Sequence, residues 1–396
     1  MRRLRRIGVI GILVCIVWAQ GPPGTAQPKK VRVVATLTNY GFVAQLIGGP
    51  YVEVVSIADG TEDPHFVKPK PSYAVLVQNA DLFISTGLDL ELWEPALLAK
   101  AGNARIMPGS PGYVSASAGI RLLEVPAMAS RAEGDIHVYG NPHIYTSPWL
   151  MKRVAANIAA GLIRVDPAHR DIYEHNLQHF KDEVDRRLFG DALVQMFGGD
   201  LLDRLVESGQ LISFLRSKTY QGQPLIDRLG GWLKAGLVFR DRKVVCYHKD
   251  WIYFATLFGQ QIVDYIEPKP GIPPSPQHVA QVIERMQKEN VRVLIAAVYF
   301  DQEKVRTVAE RAGAVPVVIP MGVTAQFPTY WDVVDFWVRS IAEAFQRAGN
   351  PGIRESGSPA IREFGRSGRS TIFIPAPLVR AGAGAIRPFG SSAVWG

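Results

Sequence analysis

Short β-branched runs alternate with helix-length segments in one half of this chain, and the same alternation returns in the other half. Residues 31–36, 52–57 and 81–86 read as strands, rich in Val and Ile and without a polar face, the pattern of strands covered on both sides. Residues 39–48 and 72–79, and a segment opening at 87–93, read as the helices between them. In the second half the strands are 243–247, 261–266, 291–298 and 315–319; the helices are 251–258, 277–289, 302–312 and 330–346. Strands joined through helices must run parallel, so the expected class is α/β, with mostly parallel sheets flanked by helices. Between the halves, 149–163 and then a segment from Asp166-Pro167 through Tyr173, Asn176, Phe180, Val184 and Leu188 repeat apolar residues at helical spacing. The second of these lies near the midpoint of the chain and is long enough to bridge two lobes. Residues 190–235 read as helical pieces separated by glycines and carry no evident chemistry.

The N-terminus reads as an export signal. Arg2, Arg3, Arg5 and Arg6 precede a short apolar run at 7–18, and Gly24-Thr25-Ala26 is a small-residue cleavage site. That run is shorter than the ~20 apolar residues of a spanning helix. Cys15 lacks the small residue expected just before a lipidated cysteine, so residues 1–26 are expected to be a cleaved signal peptide and the mature chain to be periplasmic. About 370 residues remain, which suits two domains rather than one. Cys246 is then the single cysteine left, so no intrachain disulfide is expected. The formal charge of +8 is inflated by the arginines of the signal and of the segment after Asn350, and implies no nucleic-acid partner. Residues 350–396 are rich in Gly, Ser, Pro and Arg without apolar period and read as a disordered tail.

Chemistry concentrates in loops that follow strands, where sites in parallel sheets lie. Residues 134–148 pack His137, His143, Asp135, Asn141 and two prolines between glycines, and each proline pushes the residue before it toward extended geometry. His65 sits behind Pro64 after the second strand, and His248 follows the strand at 243–247. Each alone is compatible with an ordinary hydrogen-bonded loop histidine. Together, three neutral imidazoles suit zinc and leave one position of a tetrahedron open. His137 is an auxiliary or second-layer candidate, and Asp135 a carboxylate that could orient a liganding ring. His175 and His179 stand four apart on the midpoint helix but lack the glutamate of a zinc-protease motif, so they read, with His169, as a polar helix face. His278 reads as structural.

Several motifs carry a resemblance from about residue 30 to 347: Asp63-Pro64-His65, residues 87–93, Asn141-Pro142-His143, Tyr247-His248-Lys249-Asp250-Trp251 with Tyr253-Phe254-Ala255, and residues 271–276. The chain resembles the zinc/manganese substrate-binding proteins of bacterial ABC transporters, solute-binding protein family 9. The resemblance implies two lobes, at 30–165 and 190–347 (the latter with a helical insertion at 190–235), joined by one long rigid linker helix at 166–189. It implies a metal held between the lobes by His65, His143 and His248, with Zn²⁺ expected ahead of Mn²⁺ because a histidine at 248 resembles the zinc branch. It further implies an inner-membrane ABC permease as partner, a monomeric chain and no enzymatic activity. Two departures stand out: Ile319 and Ala297 replace carboxylates common in the family, which leaves the fourth position to water, His137 or another carboxylate. The competing reading is a secreted zinc hydrolase with a three-His site and an open position, for which only Asp63 and Asp135 offer themselves as general base. A structural zinc in an interaction protein is the third.

Overall fold

A computed structural model of the chain describes residues 29–68, 70–126, 137–269 and 271–349. The expected signal peptide at 1–26, Asp135 and the expected disordered tail at 350–396 lie outside the described residues. The first half forms β1 (Val31–Leu37), α1 (Thr38–Gly48), β2 (Val52–Ala58), α2 (Pro71–Gln78), β3 (Leu82–Ser85), α3 (Glu94–Ala101), β4 (Tyr113–Ser115) and α4 (Met151–Val165). Its sheet has the order β2-β1-β3-β4, parallel throughout. β1 is buried at six of its seven positions, as a central strand with helices on both faces must be.

A 20-residue helix, α5 (Arg170–Phe189), follows. Next come α6 (Asp191–Glu207), α7 (Leu211–Ser217), a two-residue hairpin of β5 (Thr219–Tyr220) and β6 (Gln223–Pro224), and α8 (Gly231–Gly236). The second sheet is built from β7 (Lys243–Cys246), α9 (Ile252–Phe258), β8 (Gln261–Tyr265), α10 (Pro276–Lys288), β9 (Val293–Ala297), α11 (Gln302–Ala312) and β10 (Val315–Ile319), closed by α12 (Tyr330–Gly349). Its order is β10-β9-β7-β8, again all parallel. Each half therefore reverses strand order once, beside β1 and beside β7, and such reversals open a crevice at the carboxyl ends of the strands.

Alternation within β9 shows how the second sheet is covered. Val293, Ile295 and Ala297 join the large core that runs through both halves, whereas Leu294 and Ala296 pack with Val245, Val282, Met286 and Val308 on the opposite face. α5 touches both halves: its Asn176 Nδ2 donates to the Ile47 carbonyl of α1 at 2.9 Å, while Phe180 packs on Trp331 of α12 with ring centroids 5.1 Å apart.

Two local expectations change. α3 begins at Glu94, not at Gly87, because Gly87, Leu88 and Asp89 all take positive φ (74°, 64° and 58°), which a right-handed helix does not allow. The 190–235 region is not purely helical: it contains the β5–β6 hairpin, and Gly198 (φ 71°) interrupts α6.

The two halves also meet through backbone. The Met321 amide donates to the Gly60 carbonyl at 2.8 Å and the Gly60 amide to the Val323 carbonyl at 3.2 Å. Asn39 brackets the same strip: its Nδ2 donates to the Met321 carbonyl and its Oδ1 accepts from the Val323 amide. The loop after β2 is thereby stitched to the loop after β10, and the carboxyl ends of both sheets face a common crevice.

Candidate metal centre

Each histidine is aimed by its own loop. After β2, Asp63 Oδ1 accepts from the His65 amide at 3.0 Å and from the ring Nδ1–H at 2.8 Å, so one carboxylate closes the turn and sets the ring. Trp93 Nε1 donates to the Pro64 carbonyl at 2.8 Å, pinning the same turn from α3's side. In the long loop after β4, Asn141 Oδ1 accepts from the His143 amide at 3.0 Å, and the Tyr145 hydroxyl lies 3.0 Å from His143 Nδ1. Asn141 also reaches across the crevice: its Nδ2 donates to the Lys249 carbonyl at 2.5 Å, and its own carbonyl accepts from the Tyr253 hydroxyl at 2.7 Å. His248 leaves the end of β7, and its Nδ1 meets Glu267 Oε2 at 2.5 Å. Glu267 in turn accepts the Gly271 amide at 2.9 Å through its other oxygen.

With Nδ1 of His65 and of His248 donating to a carboxylate, the lone pair on Nε2 is what these two rings present inward, and His143 turns its Nε2 to the same point. His65, His143 and His248 converge, and His137 joins them: His65 Nε2 and His137 Nε2 are 3.2 Å apart, as are His143 Nε2 and His248 Nε2. All four rings are at most 3% exposed, and one nitrogen from each lies within 4.8 Å of the others. The six distances between ring centroids run only from 5.1 to 5.5 Å. Six near-equal edges define a tetrahedron; a square arrangement would have two diagonals about 1.4 times its edges. Zinc–nitrogen bonds of ~2.0–2.1 Å place tetrahedral nitrogens about 3.3–3.4 Å apart, close to the 3.2 Å of the His65–His137 and His143–His248 pairs, and the other pairs fall within 4.8 Å. The four rings thus offer a ready coordination shell for one tetrahedral ion.

His137, the auxiliary candidate, thus stands beside the other three, its ring 5.1–5.5 Å from each of theirs. Asp135 lies outside the described residues. Ile319 and Ala297 are buried in β10 and β9 and carry no oxygen ligand, while the two carboxylates nearest the rings, Asp63 and Glu267, serve the Nδ1 side. Sequence reasoning missed Glu267 and Tyr145. Glu267→Gln should keep the fold and lower metal affinity by about 10–100-fold, because the neutral amide withdraws the charge that makes His248 a strong donor; competition titration against a chelator measures it.

Burial, followed by the proximity of the neighbouring rings, lowers the pKa of His137 and pushes that of His143 well below the usual histidine range. His248 is also lowered, by burial first, although Glu267 pulls the other way. Burial alone would raise Asp63, but its bonds to His65 bring it below the ordinary carboxylate value. His137, His143 and His248 thus stay uncharged and open to a cation at neutral pH. Below about pH 6.5 the unfolded chain takes up protons that these folded rings refuse, so stability falls as pH drops. Metal-free protein should therefore melt at a lower temperature at pH 5.5 than at pH 7.5; an unchanged or higher melting temperature at pH 5.5 contradicts this.

The chain matches the family model described as zinc-uptake complex component A, periplasmic (ZnuA), over residues 33–187 and 218–344. The unmatched gap between these segments covers α6 and α7. Among curated proteins it is similar to the manganese ABC transporter substrate-binding lipoprotein PsaA of Streptococcus anginosus, at 26% identity over 183 residues, 46% of this chain and 55% of that protein. It is similar also to the iron-binding protein YfeA of Yersinia pestis, at 31% identity over 163 residues, 41% and 48% of the two chains. The chain thus spans about half the length of the curated relatives it matches. Among solved structures, a zinc-bound deletion mutant of ZnuA superposes with a TM-score of 0.58 at 22% identity, covering 80% of this chain and 98% of that one. The binding protein FpvC of Pseudomonas aeruginosa in complex with Mn²⁺ gives 0.59 at 18% identity, covering 81% and 100%. These two likenesses establish the shared two-lobed fold.

Proposed function

Because this chain belongs to the ZnuA family of zinc-uptake components, we propose that it is the extracytoplasmic substrate-binding subunit of an ABC transporter, capturing Zn²⁺ at His65, His137, His143 and His248 and delivering it to a membrane permease. The observation that carries this is the near-regular tetrahedron of four buried imidazoles. The relatives are named for manganese and iron as well as zinc, so the ligand set must decide the cargo. Four imidazoles without an oxygen ligand favour zinc, whereas manganese prefers carboxylate, carbonyl and water in an octahedral shell.

The exported, periplasmic and monomeric state belongs to the same proposal, as does the division into lobes at 30–165 and 190–347 linked at 166–189. A linker helix packed on both lobes supports small rearrangements on metal release rather than wide hinge opening. The hydrolase reading gains no support: the fourth imidazole takes the position a catalytic water would need, and both adjacent carboxylates are committed to imidazoles. The test is metal competition on the chelator-stripped chain. One equivalent of zinc, not displaced by a tenfold excess of manganese, supports the proposal; equal retention of manganese, or no retained metal, rejects it.

A further inference from the structure

His175 and His179 remain unused by the centre described above. They lie one turn apart on α5, and a helix places residues four apart on the same face with their side chains adjacent. That face is turned to solvent: Glu174, His175, Gln178 and His179 are exposed, while Tyr173, Phe180 and Val184 point into the protein. The two imidazoles already approach each other, with ring centroids 6.3 Å apart and planes at 52°. In the buried centre the corresponding separations are 5.1–5.5 Å, so each exposed ring needs to lean inward by less than 1 Å to share one ion. Both side chains are exposed, and the rigid helix has already fixed their backbones, which removes much of the ordering cost of chelation. Asp171, one further turn toward the start of α5 and also exposed, adds negative charge to the same face. Lys181, the nearest cation in sequence, is half-buried, and the exposed Arg170 is drawn off by an ion pair with Glu174.

We propose that His175 and His179 form a second, solvent-facing site for a divalent transition ion, held by two imidazoles with water completing the shell. Two protein ligands bind more weakly than four buried ones, and the order of preference follows ligand chemistry: copper first, then nickel and zinc, with manganese last. The site is independent of the buried centre and of the function assigned to it.

Calorimetric titration of the full chain with Zn²⁺, then with Mn²⁺, after one equivalent of zinc has been supplied, tests this, with His175→Ala, His179→Ala and His278→Ala compared with the parent. These α5 substitutions sit on an exposed face and leave the core untouched. The expected result is a weaker zinc equivalent in the parent and in His278→Ala, absent from His175→Ala and from His179→Ala, with no counterpart for manganese. The identity of the lost equivalent, not its order in the titration, decides the outcome, so failure of the buried centre to load would not be mistaken for failure of this site. A weak equivalent that survives both α5 substitutions, or no weak equivalent in the parent, overturns the proposal.

Discussion

Replacing His137 with alanine should weaken zinc binding by two to three orders of magnitude, as much as His143→Ala does. Zinc held by a full set of protein ligands binds with about 10–16 kcal/mol, so each of four ligands carries roughly 2.5–4 kcal/mol. His137 matches the other rings in position and burial: its Nε2 is 3.2 Å from that of His65, its ring stands 5.1–5.5 Å from the other three, and it is 3% exposed. An auxiliary or outer-layer residue would give a loss nearer tenfold. Equilibrium competition with a chelator of known affinity separates the two, and a His137→Ala protein within tenfold of the parent would demote this residue.

Gly60→Ala should destabilise the metal-free protein by about 3 kcal/mol or more. A Cβ at Gly60 would stand 2.1 Å from the Gly322 carbonyl oxygen and 2.3 Å from its carbonyl carbon. Backbone cannot rotate away as a side chain can, so the two loops must part. Parting breaks the Met321–Gly60 and Gly60–Val323 hydrogen bonds, each worth about 1 kcal/mol, and disturbs the bracket made by Asn39. Because this strip joins the loop carrying His65 to the second lobe, metal affinity should fall as well. Denaturant unfolding of stripped protein reads the first effect; an unchanged midpoint would mean that the loops are not held this closely.

The alternation of buried strands and helices was readable from the chain itself, because Val- and Ile-rich runs such as 31–36 and 243–247 can only be central strands of a covered sheet. His65 and His143 were readable for a local reason: a proline on one side and an Asp or Asn two residues back make a self-contained turn, and the structure shows that turn in Asp63–His65 and Asn141–His143. Glu267 was not readable, since it lies 19 residues beyond His248 and meets it only because β8 runs parallel beside β7, a register continued by the Ile266 and Glu267 amides donating to the Cys246 and Tyr247 carbonyls. A carboxylate placed directly after the strand that neighbours a ligand-bearing strand was the available signal. His137 was ambiguous because Ile136, not a proline, precedes it; its place depends on the path of the long loop, which Gly140 (φ 115°) and the bond from the Asn141 amide to the Leu123 carbonyl bend back over the crevice. The backbone contact of Gly60 with Gly322 joins residues 262 positions apart and left no trace in local pattern.

Zinc K-edge X-ray absorption on the chain loaded with one equivalent measures the coordination shell directly. Four nitrogen ligands at about 2.0 Å, with the outer-shell scattering of four imidazoles, is the spectrum this centre requires. A shell of three imidazoles with an oxygen ligand, or a five- or six-coordinate ion, would contradict the four-histidine centre and the preference for zinc that rests on it.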